Sequence, residues 1–431
     1  MIRFLYNLLY PVGFLFFLPG QIGKLARRGN YRRKLGQRFG FYDAGVKARL
    51  AARRCTWIHA VSVGEVAIAL KLAAKLRVLD PQLFCVITTT TTTGFQVATS
   101  QATDAMEVLY KPLDFWPIIR HAFAVVRPIR IILVEAEVWP NLAAEARDRR
   151  VPLALVNARL SKRSEARFQR FRSLIAPTFR CLDAICVQEP EDIERWVALG
   201  VERERIHHVG SIKYDPTGVR IDPDLPLEIL RSFGLDPDRP ILFGGSTHPG
   251  EEEVLGEIFG RLRGDFPTFT LIVAPRHVER AAGIRERLER LGLKVCLRSE
   301  AGQVGAVVPD CVVLDTTGEL QHWYGVATIV FVGKSLTARG GQNPVEPILA
   351  GKPVLFGPHM ENFSALAQAL VANNAAVVVR DPNSLQQQIA WLLRDREAAL
   401  RLVANAQSVL ARHDGATERT ATLVMQLRSH H

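Results

Sequence analysis

From Cys55 onward, short apolar runs rich in β-branched residues alternate with longer stretches in which apolar positions recur every three to four residues. That alternation predicts a parallel sheet wound with helices. Residues 56–60, 83–88, 129–134, 152–156 and 184–187 read as strands, and 66–79 and 142–149 between them carry apolar residues at helical spacing. These elements make one α/β domain.

Residues 215–240 interrupt the pattern. Asp215-Pro216, Asp222-Pro223, Leu225-Pro226, Asp236-Pro237 and Arg239-Pro240 punctuate them, leaving one short helical stretch at 227–233. Such proline spacing marks a linker. The alternation restarts at 241–243, 270–273, 311–314, 329–332, 353–356 and 376–379, a second α/β unit with no repeat at a fixed short period. At 431 residues the chain also exceeds what one ordinary core serves. The expected architecture is therefore two doubly wound, Rossmann-like α/β domains facing a cleft: 1–40 an apolar and basic leader, 41–212 the first domain, 213–239 the linker and 240–431 the second domain. In such folds the functional loops follow the carboxyl ends of the strands.

The leader changes the picture. Residues 4–18 are nearly all apolar, but Pro11, Gly13 and Pro19 interrupt them, and a membrane span needs about 20 apolar residues. Lys24, Arg27, Arg28, Arg32, Arg33, Lys34 and Arg38 follow immediately. This order suits a retained membrane anchor with the body held on the cytoplasmic side; a cleaved signal would carry its basic residues ahead of the apolar stretch and a small-x-small site behind it. The formal charge of +12 attracts nucleic acid, anionic lipid or phosphorylated small molecules, and no nucleic-acid-binding motif is interleaved with the basic cluster. With 48% hydrophobic and 23% charged residues the chain is a folded body. Its six cysteines form no C-x-x-C pair and lie mostly in strand-like runs, which fits a reducing cytosol without a zinc site or disulfide framework.

Chemistry concentrates where predicted strands end. In His59-Ala60-Val61-Ser62-Val63-Gly64-Glu65 a strand stops and Glu65 falls in the first turn of the next helix; it is either a dipole-stabilised carboxylate or a general base for an acceptor hydroxyl. The run Thr88 to Thr93, closed by Gly94, offers an anion-binding terminus or simply strand and cap residues. Glu135-Ala136-Glu137-Val138-Trp139-Pro140-Asn141 follows a very apolar run, and its paired carboxylates either serve chemistry or bind arginines.

In the second half, Gly244-Gly245-Ser246-Thr247-His248-Pro249-Gly250 precedes Glu251, Glu252 and Glu253, an anion cradle followed by charges that favour a helix start. Ala274-Pro275-Arg276-His277 ends a strand with a guanidinium suited to phosphate. Thr317-Gly318-Glu319 and Gly340-Gly341-Gln342-Asn343-Pro344-Val345-Glu346-Pro347 sit at loop-to-helix junctions, where a diglycine admits a ligand and Glu346 can accept ribose hydroxyls. Asp222-Pro223-Asp224 and Asp236-Pro237-Asp238 mimic a D-x-D metal motif but read as linker turns, and His207-His208 reads as a strand end.

At these residues, and over essentially its whole length, the chain resembles the 3-deoxy-D-manno-octulosonic acid (Kdo) transferases of lipopolysaccharide assembly. The resemblance rests on Arg38-Phe39-Gly40-Phe41-Tyr42, His59 to Glu65, Glu135 to Asn141, Asn157-Ala158-Arg159-Leu160-Ser161 and Gly210-Ser211-Ile212-Lys213-Tyr214-Asp215. It continues through Ser246 to Glu252, Pro275-Arg276-His277, Asp315 to Leu320, Phe331-Val332-Gly333, Gly340 to Glu346 and Gly357-Pro358-His359. It implies a glycosyltransferase B-type fold, an acceptor-binding first domain, a donor-binding second domain, CMP-Kdo as donor, a lipid A precursor as acceptor, no cofactor and no metal, at the cytoplasmic face of the inner membrane. Matched by motif, Glu65 is the catalytic base, and Glu137 and Lys213 support the transition state. Pro275, Arg276, Thr317, Gly318, Glu319, Asn343, Pro344, Val345 and Glu346 match the CMP contacts. The chain departs from the family pattern at Lys334, Gln342 and Leu314, where glycine, histidine and glycine are common.

The expected reaction is a single displacement. Glu65 takes the acceptor proton, the oxygen attacks the anomeric carbon, and CMP leaves from the opposite face, its phosphate met by Arg276, Lys213 and helix termini. A nucleotide-sugar epimerase of the same fold, a transferase using another nucleotide sugar, and a non-catalytic membrane-bound binding module are the alternatives.

Overall fold

The structure is a computed structural model, and it describes residues 3–4, 6–10, 13, 34–51, 53–136, 138–160, 162–216, 221–236, 238–302 and 308–427. The chain forms two compact units, 1–215 with 413–431, and 216–412.

The first unit is built on strands β1 (Cys55–Ala60), β2 (Phe84–Thr89), β3 (Met106–Tyr110), β4 (Pro128–Val134), β5 (Leu153–Ala158), β6 (Ala184–Val187) and β7 (Ile206–His208). They form one parallel sheet in the order β3-β2-β1-β4-β5-β6-β7. Helices cover both faces, so successive side chains enter different cores: Trp57, Ile131 and Leu133 pack on one side, Ile58, Ile132 and Val134 on the other. Burial on both faces is why most of these strands are predominantly apolar along their length instead of alternating.

The second unit repeats the plan with β8 (Ile241–Thr247), β9 (Thr270–Pro275), β10 (Val295–Leu297), β11 (Cys311–Val313), β12 (Ile329–Val332), β13 (Val354–Phe356) and β14 (Val377–Val378). Its parallel order is β10-β11-β9-β8-β12-β13-β14. Connections run in opposite directions from the β1/β4 pair in the first sheet and from the β8/β12 pair in the second. Those are the topological switch points, where the loops leaving the strands open a crevice. The motifs after β1, β4, β8 and β12 all fall there.

The domain boundaries differ from the sequence expectation at the C-terminus. The last helix, Ala416–Gln426, packs against helix Val63–Leu79 of the first unit, burying Ala421 and Val424 in that core. Asp215 fastens the return: its carboxylate accepts the Gly415 and Thr417 N–H groups at 3.2 and 2.7 Å. The expected linker contains helix Asp224–Ser232. Both D-x-D look-alikes are turns, in which Asp222 and Asp236 each accept the N–H two residues on at 3.0 Å.

Among the described residues no helix is long and apolar enough to cross a membrane. Residues 3–4 and 6–10 are helical, and their polar side faces the first unit. Arg3 pairs with Asp148, Tyr6 donates to Asp114 at 3.0 Å, and the Asn7 and Asn141 amides exchange hydrogen bonds at 2.8 and 2.9 Å. Phe4, Leu8 and Leu9 point outward, 74%, 60% and 55% exposed.

Candidate functional site

The loop after β1 is shaped by Glu65. Ser62 caps helix Val63–Leu79. The Glu65 carboxylate accepts the Val61 N–H and the Ser62 hydroxyl, each at 2.9 Å, while Ser62 Oγ accepts the Glu65 N–H at 3.4 Å. These reciprocal bonds hold the carboxylate at the carboxyl end of the sheet, 9% exposed. The threonine run braces the same turn: the Thr89 and Thr91 hydroxyls donate to the Val61 carbonyl at 3.2 and 3.1 Å, and Thr91 also caps the following helix. Those hydroxyls serve the Glu65 turn rather than an open anion cradle.

Beneath the turn lies His59, fully buried, its Nδ1 3.0 Å from both the Thr88 carbonyl and hydroxyl. A carbonyl only accepts, so Nδ1 carries the proton. Burial drives the imidazole well below its usual pKa, with the nearby Lys111 charge adding to the effect. His59 is a neutral structural post. The pair His207-His208 lies in β7, where burial also lowers the His207 pKa.

After β4 the backbone turns at Glu135, whose φ of 65° is left-handed, a conformation costly for a side-chain-bearing residue and concentrated at functional turns. Glu137 lies outside the described residues. Lys213 is brought to Glu135: burial lowers its ammonium, the Glu135 charge opposes that shift and Arg159 adds to it. Asn157, also left-handed at φ 52°, positions this segment by accepting the Ile212 N–H at 3.0 Å and the Ser211 hydroxyl at 3.2 Å. Two further residues carry no motif of their own. Lys111 places its ammonium 3.0 Å from the Trp139 ring centroid. Asp114, 1% exposed, accepts the Asn141 and Leu142 N–H groups at 3.0 and 2.9 Å, fixing the start of helix Pro140–Asp148. A lone carboxylate just after a strand is its only sequence signal.

In the second unit the fully buried Glu251 is the organising group. One carboxylate oxygen accepts the His248 and Lys334 N–H groups at 2.9 and 2.8 Å, and the other those of Ser335 and Leu336 at 3.0 and 3.1 Å. It thereby ties the loop after β8 to the loop after β12. Glycine is required where these loops cross, since a methyl on Gly333 would run into the Ser246 carbonyl and one on Gly341 into Met360. Glu252, buried beside it, binds Arg280 through both oxygens at 2.9 and 3.1 Å, bracing the segment after β9.

The predicted nucleotide residues occupy loops at this same end. Pro275 closes β9, and the Arg276 N–H donates to the Thr247 carbonyl at 3.0 Å, leaving its side chain exposed. Asn343 donates to Glu346 at 2.9 Å and accepts the Val345 N–H at 3.0 Å, with Pro344 between them. Burial raises the Glu346 carboxyl, opposed by the Asn343 bond and the Arg276 charge, which brings the Arg276 and Glu346 loops together electrostatically. Gln342 reaches His248 at 3.2 Å. Thr317 and Gly318 lie exposed on the loop after β11, whereas Glu319 is held by Arg298 at 2.9 and 3.1 Å.

Comparison with known proteins gives this arrangement its relatives. A family model described as 3-deoxy-D-manno-octulosonic-acid transferase (kdotransferase) matches residues 33–216. A 3-deoxy-D-manno-octulosonic acid transferase of Haemophilus influenzae is 32% identical over 398 residues, 91% of each chain, and one of Bordetella pertussis is 32% identical over 394 residues, 89% of each. The solved UDP-GlcNAc 2-epimerase of Neisseria meningitidis, bound to UDP-GlcNAc, superposes with a TM-score of 0.56 at 13% identity, covering 87% of this chain and 100% of its own, a likeness of fold alone. Identity of that level along nine-tenths of the sequence, on a scaffold whose switch-point loops carry the motifs, establishes that the chain belongs to the 3-deoxy-D-manno-octulosonic acid transferase family.

Proposed function

We propose that the protein transfers Kdo from CMP-Kdo to a lipid A precursor in lipopolysaccharide assembly, by one inverting displacement. The observation that carries this reading is the placement of the motifs: in each sheet they follow the carboxyl ends of the strands, those with Glu65, Glu135, Glu251 and Glu346 leaving the two strands that flank the switch point, where α/β folds bind ligands. The first domain takes the acceptor. Glu65, fixed by its bonds from Val61 and Ser62, removes the hydroxyl proton; the freed oxygen attacks the anomeric carbon, and CMP departs with the bonding electron pair. Lys213 and Glu137 support the developing charges. The second domain takes the donor: Arg276 faces the phosphate, Glu346 and Asn343 with Pro344 and Val345 hold the ribose, and Pro275, Thr317, Gly318 and Glu319 complete the nucleotide contacts.

The N-terminal helix suits the acceptor's location. Its polar stripe is spent on Asp114, Asn141 and Asp148, so the outward Phe4, Leu8 and Leu9 are left to enter an anionic inner-membrane surface on the cytoplasmic side, reinforced by the basic residues that follow in sequence. Incubating the purified protein with CMP-Kdo and a lipid A precursor tests the proposal: CMP release matched by a lipid heavier by one or more Kdo units supports it. Turnover of a nucleotide sugar without any acceptor would replace it with the epimerase reading.

A further inference from the structure

Lys334 follows β12 after Gly333, and its φ of 55° lies in the left-handed region, which glycine adopts freely and a residue with a Cβ adopts at a cost of about 1–2 kcal/mol. The loop imposes that conformation from several sides. Glu251 accepts the Lys334 N–H, the Lys334 carbonyl accepts the Gly341 N–H at 2.9 Å, and the Gly333 N–H before it donates to the Gly245 carbonyl at 2.8 Å. Strain fixed so firmly marks a site where the side chain's position is used.

That side chain runs to the diglycine. Its Cε and Nζ lie 3.2 and 3.4 Å from the point where a Cβ on Gly340 would stand. Among the described residues no carboxylate forms an ion pair with Lys334. The nearby Glu361 is occupied by the Gly340 N–H at 2.7 Å and faces His359 at 3.6 Å. Cations do gather nearby: burial lowers the His248 pKa, the Glu251 carboxylate opposes that shift, and Lys334, His277 and Arg280 add to it. The loop's amides cannot meet an anion, because Glu251 has taken those of Lys334, Ser335 and Leu336. The ammonium can.

We propose that Lys334 is a donor-binding residue whose ammonium receives the nucleotide phosphate beside Gly340-Gly341. This deepens the donor assignment above and rests on it. A single charge-assisted contact predicts that Lys334→Gly weakens CMP about tenfold and leaves cytidine, which lacks the phosphate, unchanged. The substitution suits the left-handed backbone, so the thermal midpoint should not fall.

Calorimetric titration of the full-length protein in detergent, with CMP and with cytidine, decides the matter on the wild type, Lys334→Gly and Lys334→Arg. Selective loss of CMP in the glycine variant, with most of it recovered in the arginine variant, supports the assignment. Unchanged CMP affinity in Lys334→Gly, or equal losses for both ligands, overturns it while leaving the donor reading intact. A wild type that binds neither ligand removes both.

Discussion

Replacing Glu251 by glutamine tests how the second domain holds its loops together. Each carboxylate oxygen accepts two backbone N–H groups, His248 with Lys334 on one and Ser335 with Leu336 on the other. An amide offers one acceptor oxygen and one donor nitrogen, so either orientation of the introduced glutamine turns a donor toward two N–H groups and strands them in a fully buried place. Each stranded donor costs about 1–3 kcal/mol, partly offset by the lighter burden of burying a neutral group, which leaves about 3 kcal/mol. Native-state amide exchange reads this residue by residue. One of the two pairs should exchange roughly a hundredfold faster in Glu251→Gln while β8 amides such as that of Phe243 keep their protection. Rates within about threefold of wild type for all four amides, or an even acceleration across the domain, would refute the claim that Glu251 clamps these loops.

Three further outcomes follow from the first domain. His59 is held neutral far below its usual pKa, so the unfolded chain gains a proton there as the pH falls and stability is lost in acid. Between about pH 7.5 and 5.5 the loss assignable to this imidazole is about 1.4 kcal/mol, and denaturant titrations of His59→Gln should lack that share; parallel pH profiles for the two proteins would show that His59 is not the source. Asp114→Ala strands the Asn141 and Leu142 N–H groups and frees Tyr6, a loss of about 3 kcal/mol that should lower the melting midpoint by roughly 6–12 °C. Changing Phe4, Leu8 and Leu9 to serine should cut binding to anionic vesicles at least a hundredfold, at about 1.5 kcal/mol or more per side chain, without lowering thermal stability; undiminished flotation with vesicles would contradict a lipid-facing helix.

Most strands are legible in the sequence because burial on both faces makes them continuous apolar runs. The exceptions have physical reasons. β3 carries Glu107, tolerated because Arg49 binds it at 2.6 Å, and β7 holds two histidines, so neither presents an unbroken apolar signal. The C-terminal helix belongs to the first unit and not, as its position in the chain suggests, to the second, because an amphipathic pattern shows that a face is buried and not which core receives it. Its address lies in Asp215, bonded to residues 200 and 202 positions away. At the site, glycines and carboxylates at strand ends make the motif loops visible. Asp114 is not visible in that way, since its partners stand 27, 28 and 108 residues distant. Glu251 reads in the sequence only as a charge favouring a helix start, and its four loop contacts emerge from the fold. The left-handed conformation of Glu135 has no sequence signature, whereas Asn157 is a residue type that tolerates it and Lys334 stands where the family commonly has glycine.

The most direct measurement compares wild type with Glu65→Gln for Kdo transfer from CMP-Kdo to a lipid A precursor, followed by lipid mass and CMP release. Glutamine preserves the capping arrangement, accepting from the Val61 N–H and donating to Ser62, and removes only basicity. The account predicts unchanged CMP affinity and fold with transfer slowed by about 10²–10⁴. Transfer at near wild-type rate in that variant would contradict it.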